Sequence, residues 1–187
     1  DVWIVGAAGT VLRWDGARLR DASPPVPGVT LFKVWGASRD AVWLAGEAGA
    51  LWRWDGARFV DHSLATGANL LTVHGCDADD VYAVGGSRVW HWDGRAWREE
   101  PGLPGFALAT GVACGGDEVL VVGAQGLRLR RDRATGVWRD DQLAPLMATD
   151  FHGAWLPADG DAWALGGDYL LPGLAQRRGV AARRGCL

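Results

Sequence analysis

The feature that most constrains the fold is a short strand-like segment ending in glycine, which recurs along the whole chain. Four copies are closely similar and a fifth is more divergent: Asp1–Gly6, Ala41–Gly46, Asp80–Gly85, Asp161–Gly166 and, diverged, Glu118–Gly123. Their final glycines, here called the closing glycines, are residues 6, 46, 85, 123 and 166. The steps between them are 40, 39, 38 and 43 residues, a spacing that predicts a repeat protein.

Each repeat has the residue pattern of four short strands. The second repeat shows it most clearly, with β-type runs at 31–36, 41–46, 50–54 and 58–61. Four strands in about 40 residues are typical of one β-propeller blade. We therefore predict an all-β propeller with about 4.7 blades, whose first strands are residues 31–36, 70–75, 108–113 and 151–156.

Turns and core residues follow the same repeat. Asp15-Gly16, Asp55-Gly56 and Asp93-Gly94 each follow a Trp, and Asp-Gly pairs favour exposed type I′ hairpin turns. The third strands alternate, with aromatic residues such as Trp52 and Trp54 on one face and Arg53 on the other. We expect the Trp residues to fill the space between neighbouring blades.

The repeats predict a domain boundary near the C-terminus. Residues 1–171 form the propeller repeats, whereas residues 172–187 are predicted to be a basic tail outside them. The chain opens inside a repeat and without Met, which indicates a processed form or a piece of a longer protein. A closed five-bladed ring, part of a larger ring, and a ring completed by a second chain or by the rest of a longer polypeptide all fit the repeat count.

Composition and motifs argue against most chemistries. The net charge of −3 disfavours nucleic acid, and the apolar runs are too short to insert in a membrane. The four histidines fall in different repeats without metal-binding spacing, and no nucleophile elbow or phosphate loop is present. Acidic residues recur before each second strand, where they are expected to cap turns. We predict no cofactor, no metal site and no enzymatic activity.

The repeat resembles a known family. The stretches from Val34 to Phe59, from Val73 to Trp97 and from Asp1 to Leu19 are similar to the Trp-Asp-Gly propeller repeats of secreted and surface-attached bacterial proteins. Those repeats are related to Asp-box and photosystem-assembly-factor propellers. A weaker resemblance, through residues 53–56, is to tectonin-type lectin repeats. The full Asp-box spacing is not matched, which argues against a glycosidase.

Candidate binding residues come from the places where repeats differ. In the fourth repeat Arg131 replaces a Trp, the following hairpin loop is two residues longer, and Arg130 and Arg133 lie beside it. These arginines predict a local positive patch for an acidic partner or an anionic glycan. Arg53 and Trp54 are the candidate residues for a lectin site between blades.

The cysteines suggest a crosslink. Cys76 and Cys114 occupy equivalent positions in successive repeats, and either a disulfide or two small buried side chains fits them. Cys186 has no matching partner in the sequence.

Together these features predict a non-catalytic binding or scaffolding propeller that recognises a protein or surface ligand through one face, outside the cell or in its envelope. The alternatives are a lectin with Trp and Arg sites between blades and, third, a relative of Asp-box glycosidases.

Overall fold

The computed structural model describes residues 1–24, 28–103, 105–106, 108–141, 149–157, 161–168 and 173–184. These residues form strands and short 3₁₀ turns. The strands are β1 (Val2–Val5), β2 (Val11–Trp14), β3 (Leu19–Asp21), β4 (Leu31–Ser38), β5 (Ala41–Gly46), β6 (Leu51–Trp54), β7 (Phe59–Asp61), β8 (Thr72–Asp77), β9 (Asp80–Gly85), β10 (Arg88–Trp92), β11 (Trp97–Glu99), β12 (Ala109–Gly115), β13 (Glu118–Gly123), β14 (Arg128–Asp132), β15 (Trp138–Asp140), β16 (Phe151–Trp155), β17 (Trp163–Gly167) and β18 (Gly179–Arg183). The 3₁₀ turns are Ala7–Gly9, Glu47–Gly49, Ala124–Gly126 and Leu174–Gln176.

The strands form five antiparallel sheets in sequence order. The first sheet is β1-β2-β3, the second β4-β5-β6-β7, the third β8-β9-β10-β11, the fourth β12-β13-β14-β15 and the fifth β16-β17-β18. The predicted first strands of repeats two to five are therefore confirmed as β4, β8, β12 and β16, each paired with the strand that follows it.

The chain divides into two compact units. The N-terminal unit comprises residues 1–85 and 90–98, and the C-terminal unit comprises residues 86–89 and 99–187. Among the residues that the structure describes, no helix is both long and apolar enough to cross a bilayer.

Four of the five closing glycines are required because the backbone passes directly over them. A Cβ on Gly85 would lie 2.8 Å from the Asn69 carbonyl carbon and 3.0 Å from Leu70 Cα, and closer still to the Asn69 carbonyl oxygen. Gly46, Gly123 and Gly166 stand under the equivalent carbonyls of Thr30, Leu108 and Asp150, each the residue just before the first strand. Any side chain there would collide with backbone, which explains the regular spacing of glycine in the sequence.

The type I′ turns lie in a different hairpin from the one predicted. Ala48 and Gly49 have φ of 50° and 80°, and the Ala50 N–H donates to the Glu47 carbonyl at 2.9 Å, which is a type I′ turn between β5 and β6. The first and fourth sheets repeat this turn with positive φ at Ala8-Gly9 and Gln125-Gly126. Three turns thus place a residue other than glycine in the left-handed region.

The Asp-Gly segments instead form four-residue loops, so the type I′ prediction for them is wrong. Asp55 Oδ1 accepts hydrogen bonds of 2.9 Å from the backbone N–H groups of Ala57 and Arg58, and only Gly56 has positive φ. The Asp side chain closes the loop, so positive φ is needed at one residue rather than two. In the third sheet, N–H donation from Ala96 and Arg95 lowers the pKa of Asp93 to about 2.

Tryptophan residues fill the space between sheets within the N-terminal unit, as predicted. Trp43, Trp90 and Trp92 are buried in one cluster with apolar residues of the second and third sheets. Trp52 belongs to a second cluster, which joins Val11 of the first sheet to the second sheet. In the C-terminal unit, the corresponding cluster of the fourth and fifth sheets is built from smaller residues around Phe151.

The C-terminal segment differs from the predicted tail. Residues 179–183 form β18, which pairs along its whole length with β17 and is the third strand of the fifth sheet. Val180 and Ala182 pack toward the core, while Ala181 and Arg183 are exposed. The strand lacks the Trp of the other repeats, so the sequence pattern that identified the third strands was absent here.

Candidate functional site

A repeated contact between an acidic residue and Arg or His joins the second and third strands of the repeat in four of the five sheets. The pairs are Asp1–Arg13 at 2.6 Å, Asp80–His91 at 2.8 Å, Glu118–Arg130 at 2.6 Å, and Asp161 with Arg183. The acidic residue that begins the second strand of these repeats therefore contacts a side chain on the neighbouring third strand. Within the described part of the chain, no group of three or more His, Cys, Asp or Glu side chains is placed to hold a metal ion.

Glu118 has two cationic neighbours in its sheet region. Arg130 contacts it at 2.6 Å and Arg184 at 2.5 Å. Partial burial alone would raise the pKa of this carboxyl, but the hydrogen bonds from Arg184 and Arg130 outweigh burial, and the pKa is lowered. Glu118 is therefore ionised at neutral pH.

The second sheet lacks the acidic member of this pair. Ala41 stands where the other sheets have Asp or Glu, and the Arg53 guanidinium lies 5.7 Å from the centre of the buried Trp43 ring. Among the described residues, no carboxylate forms an ion pair with Arg53. Its neighbour Trp54 packs against Trp3 at 5.6 Å and Phe59 at 5.2 Å, between ring centres. The two candidate lectin residues are thus packed among other aromatic side chains.

The arginines of the fourth repeat have partners inside the C-terminal unit. Arg131 is largely buried and its Nε lies 3.2 Å from Glu100 Oε2, which also accepts a 2.8 Å hydrogen bond from the Trp138 indole. Arg133 donates to the Gly116 carbonyl at 2.8 Å. Because Glu100 and Glu118 balance Arg131 and Arg130, the local positive field is weaker than the sequence suggested.

Two histidines are held neutral by their surroundings. Burial, with a smaller contribution from nearby Arg53, lowers the pKa of His62, and burial with the charge of Lys33 lowers the pKa of His74. His74 packs against Trp35 in a tilted arrangement, with ring centres 5.4 Å apart. The His62 ring lies 5.1 Å from the ring centres of both Trp43 and Trp92, so both histidines pack among aromatic side chains.

The most exposed aromatic side chain among the described residues, Trp155, belongs to the fifth sheet. Trp155 pairs with Trp163, Gly153 with Leu165, and Trp163 with Arg183, so these side chains share one face. Trp155 is 58% exposed and Leu165 46% exposed, while the Arg183 guanidinium lies 5.5 Å over the Trp163 ring. We call this surface the tryptophan face. The opposite face of the same sheet carries Ala164 and is buried against the fourth sheet.

A cleft of about 530 Å³ adjoins the tryptophan face. It is lined by Leu165, by the glycines of β16 to β18, and by His152, Arg177 and Arg178. The cleft can accept an apolar side chain together with a neighbouring anionic group.

Sequence reasoning missed the tryptophan face. The alternation of Trp163 with Leu165 on β17 was the available signal, but alternation with small residues also fits a strand whose two faces are both covered. Only the folded structure distinguishes the two faces, because it shows the face with Ala164 packed against the fourth sheet and the face with Trp155 exposed.

Cys76 and Cys114 are each disulfide-bonded in the structure. Cys186 lies outside the described residues.

Comparisons with known proteins show the fold. No protein-family model and no curated protein matches the sequence. The solved structures that resemble it include the computationally designed protein Ika8, with TM-score 0.67, 19% identity and coverage of 88% of this chain and 52% of that one. The WD40 β-propeller domain of Doa1 gives TM-score 0.66, 11% identity and coverage of 88% and 57%. The WD40 repeats of RRP9 give TM-score 0.61, 8% identity and coverage of 89% and 51%.

This chain therefore spans about half the length of the solved structures it matches. Its five antiparallel sheets correspond to about 4.7 blades, and the chain has a β-propeller fold.

Proposed function

We propose that this chain is a non-catalytic protein-recognition module that binds its partner through the tryptophan face of the fifth sheet. The observation that carries the proposal is the exposure of Trp155 and Leu165 on one side of a sheet whose other side is buried. Trp and Arg dominate the binding energy of protein interfaces, and Trp155 and Trp163 lie together with Arg183 on this face. The WD40 propellers among the structural neighbours are consistent with an interaction scaffold.

The cleft beside this face indicates the chemistry of the partner. A protruding apolar side chain would cover Leu165, and a carboxylate next to it would meet Arg178. Such charge pairs at the rim of an interface mainly raise the association rate and select the orientation. The expected partner surface is therefore apolar at its centre and acidic at its edge.

We place the protein outside the cell or in the cell envelope. Cys76 and Cys114 support this location because disulfides persist in oxidising compartments and are rare in the cytosol. The resemblance to the Trp-Asp-Gly repeats of secreted bacterial proteins points the same way.

The lectin alternative has less support. A sugar would have to stack on an open indole ring, whereas the ring of Trp54 is covered by Trp3 and Phe59, with Arg13 5.4 Å from its centre. A protein partner fits the broad tryptophan face better than a sugar fits the packed pair Arg53 and Trp54.

A photocrosslinking experiment tests the proposed function. A photoreactive amino acid replaces Trp155 in one variant and Val137 in a control, since Val137 is also exposed, at 49%, but lies in a hairpin loop of the fourth sheet. We expect a discrete crosslinked protein from the 155 variant in an extract of the source organism, and none from the 137 variant.

Competition makes the assay specific. Excess unmodified chain should abolish the crosslink, whereas a chain carrying Trp155→Ala and Leu165→Ala should compete at least tenfold less well. Equal crosslinking from positions 155 and 137, or equal competition by both chains, would refute recognition through this face.

A further inference from the structure

The second sheet differs from the other four in the partner of its third-strand basic residue. In those four sheets the basic residue contacts an acidic residue on the second strand of the same repeat, which is Asp1, Asp80, Glu118 or Asp161. The second sheet has Ala41 at the acidic position and Arg53 at the basic one. Among the described residues, none forms an ion pair or a hydrogen bond with the Arg53 side chain. This sheet has all four strands, so the difference comes from the residue at position 41.

Arg53 lies beside the aromatic cluster between the second and third sheets. It pairs with Trp43 across β5 and β6, so both side chains are on the face that packs against the third sheet. The guanidinium carbon lies over the Trp43 ring, 5.7 Å from its centre. The side chain is partly exposed, although its Nε is buried. A guanidinium has five N–H donors, and contact with the ring face leaves them available to an acceptor.

The neighbouring indole groups also lack an acceptor. The N–H groups of Trp43, Trp92 and Trp97 are buried and have no hydrogen-bond partner in the described part of the chain. The centres of these three rings lie between 5.1 and 6.0 Å apart. Indole and guanidinium groups can donate hydrogen bonds but cannot accept them. The region therefore favours a ligand that is an acceptor, and the charge of Arg53 favours an anion.

His62 can report on the charge state of this region. Its ring lies 5.1 Å from the ring centres of Trp43 and Trp92. Burial lowers the pKa of His62, the positive charge of Arg53 lowers it further, and the carboxylate of Asp61 acts in the opposite direction. An anion bound to Arg53 would neutralise that positive charge and raise the pKa of His62. The titration of His62 therefore measures whether Arg53 is occupied.

We propose that Arg53 binds a carboxylate that comes from outside this chain. The guanidinium donates two parallel hydrogen bonds to the carboxylate, a geometry for which arginine is well suited. We expect a carboxylate because the chain itself places one beside the equivalent basic residue in each of the other four sheets. The carboxylate belongs either to a small molecule or to an acidic side chain of a protein. The proposal does not rest on the tryptophan face of the fifth sheet, which involves different residues.

An NMR titration tests the site. Sodium acetate replaces sodium chloride at constant ionic strength, while the ring signals of His62 and His74 are followed. We expect a saturable shift of the His62 signal and a higher His62 midpoint in acetate than in chloride. His74 is the control, since it lies beside Trp35 and Lys33 rather than Arg53, and its midpoint should be the same in both salts.

Three variants locate the site. Arg53→Gln should weaken acetate binding at least tenfold, because it removes a charged hydrogen-bond donor. Arg58→Gln is the matched control, since it removes an exposed arginine from the same sheet, and it should bind acetate normally. Ala41→Asp supplies the acidic residue that the other sheets have. It should raise the His62 midpoint without acetate and abolish the response to acetate.

A short peptide distinguishes the two sources of the carboxylate. The peptide is Gly-Asp-Gly with both ends blocked, so that the side chain carries its only carboxylate. Binding at least tenfold tighter than that of acetate would support the site and assign it to an acidic side chain of a protein. Binding equal to that of acetate, or weaker, would support the site and assign it to a small carboxylate.

Four results would overturn the proposal. They are identical His62 titrations in acetate and chloride, equal shifts of His62 and His74, unchanged acetate binding by Arg53→Gln, and an unchanged acetate response in folded Ala41→Asp. Arg53→Gln tests the site even if Ala41→Asp does not fold. None of these results affects crosslinking at Trp155, so the two proposals fail separately.

Discussion

Replacing a closing glycine should destabilise the protein only where a first strand crosses it. In Gly85→Ala, the new methyl group would meet the backbone of Asn69 and Leu70, at 2.8 Å from a carbonyl carbon and 3.0 Å from a Cα. These are backbone atoms just before β8, where the N–H groups of Leu70 and Leu71 donate to the carbonyls of Gly46 and Val84, so they cannot rotate away as a side chain would. The two strands must separate locally to accept the methyl group.

The size of the effect follows from two opposing contributions. Overpacking in a rigid interior costs about 1–3 kcal/mol and occasionally more. We expect the upper end, about 3 kcal/mol, because the colliding atoms are backbone. Alanine lowers the entropy of the unfolded chain and offsets about 0.5–1 kcal/mol of this. The net loss for Gly85→Ala is therefore about 2 kcal/mol.

Gly6→Ala is the internal control for this measurement. Nothing lies within 4 Å of its Cβ, so only the entropic gain remains and the variant should be as stable as the original chain or slightly more stable. Urea unfolding followed by tryptophan fluorescence gives the midpoints of both variants. Equal shifts for Gly85→Ala and Gly6→Ala would refute the explanation of the repeated glycine.

Three further predictions concern buried polar groups and the crosslink. Glu100→Ala should destabilise the chain by about 3 kcal/mol in urea unfolding, because it removes the carboxylate beside the largely buried Arg131, and the double change of Glu100 and Arg131 to Leu should recover most of that loss. The folded chain holds the pKa of His74 below the value of about 6.5 expected for the unfolded chain, so below that pH the unfolded state binds more protons and stability falls. An NMR titration should give a His74 midpoint below 6.5, and a midpoint at or above it would contradict the burial argument. Reduction should lower the unfolding free energy by about 2–4 kcal/mol in the original chain but not in a variant with Ser at Cys76 and Cys114.

The repeated features of the fold could be predicted from the sequence because each has a local cause. The spacing of the closing glycines predicts five repeats, and the structure has five sheets. The alternation of Trp52 and Trp54 predicts which side of β6 packs against its neighbours. The first strands β4, β8, β12 and β16 followed from their fixed distance to those glycines.

Features that depend on nonlocal contacts could not be predicted. The left-handed conformation of Ala48 has no sequence signal, since alanine is not a preferred residue there and the turn is imposed by the flanking strands. The sequence did not predict β18 because its Gly and Ala residues show no repeat pattern. It is recognised as a strand only by its pairing with β17.

The candidate sites show the same limit. The sequence singled out Arg131 as a departure from the repeat, but only the structure shows that Glu100, 31 residues away, lies beside it. The exposure of Trp155 likewise depends on which side of the fifth sheet is covered.

Hydrogen exchange of the fifth sheet tests the structural basis of the proposed function most directly. The tryptophan face exists only if β17 is a central strand with β16 and β18 on its two sides. We predict that the backbone amides of residues 163–167, and those of residues 179–183 that donate to β17, exchange slowly when the native chain is placed in deuterated buffer. Exchange of residues 179–183 at the rate of an unstructured peptide would contradict the fifth sheet and the recognition surface built on it.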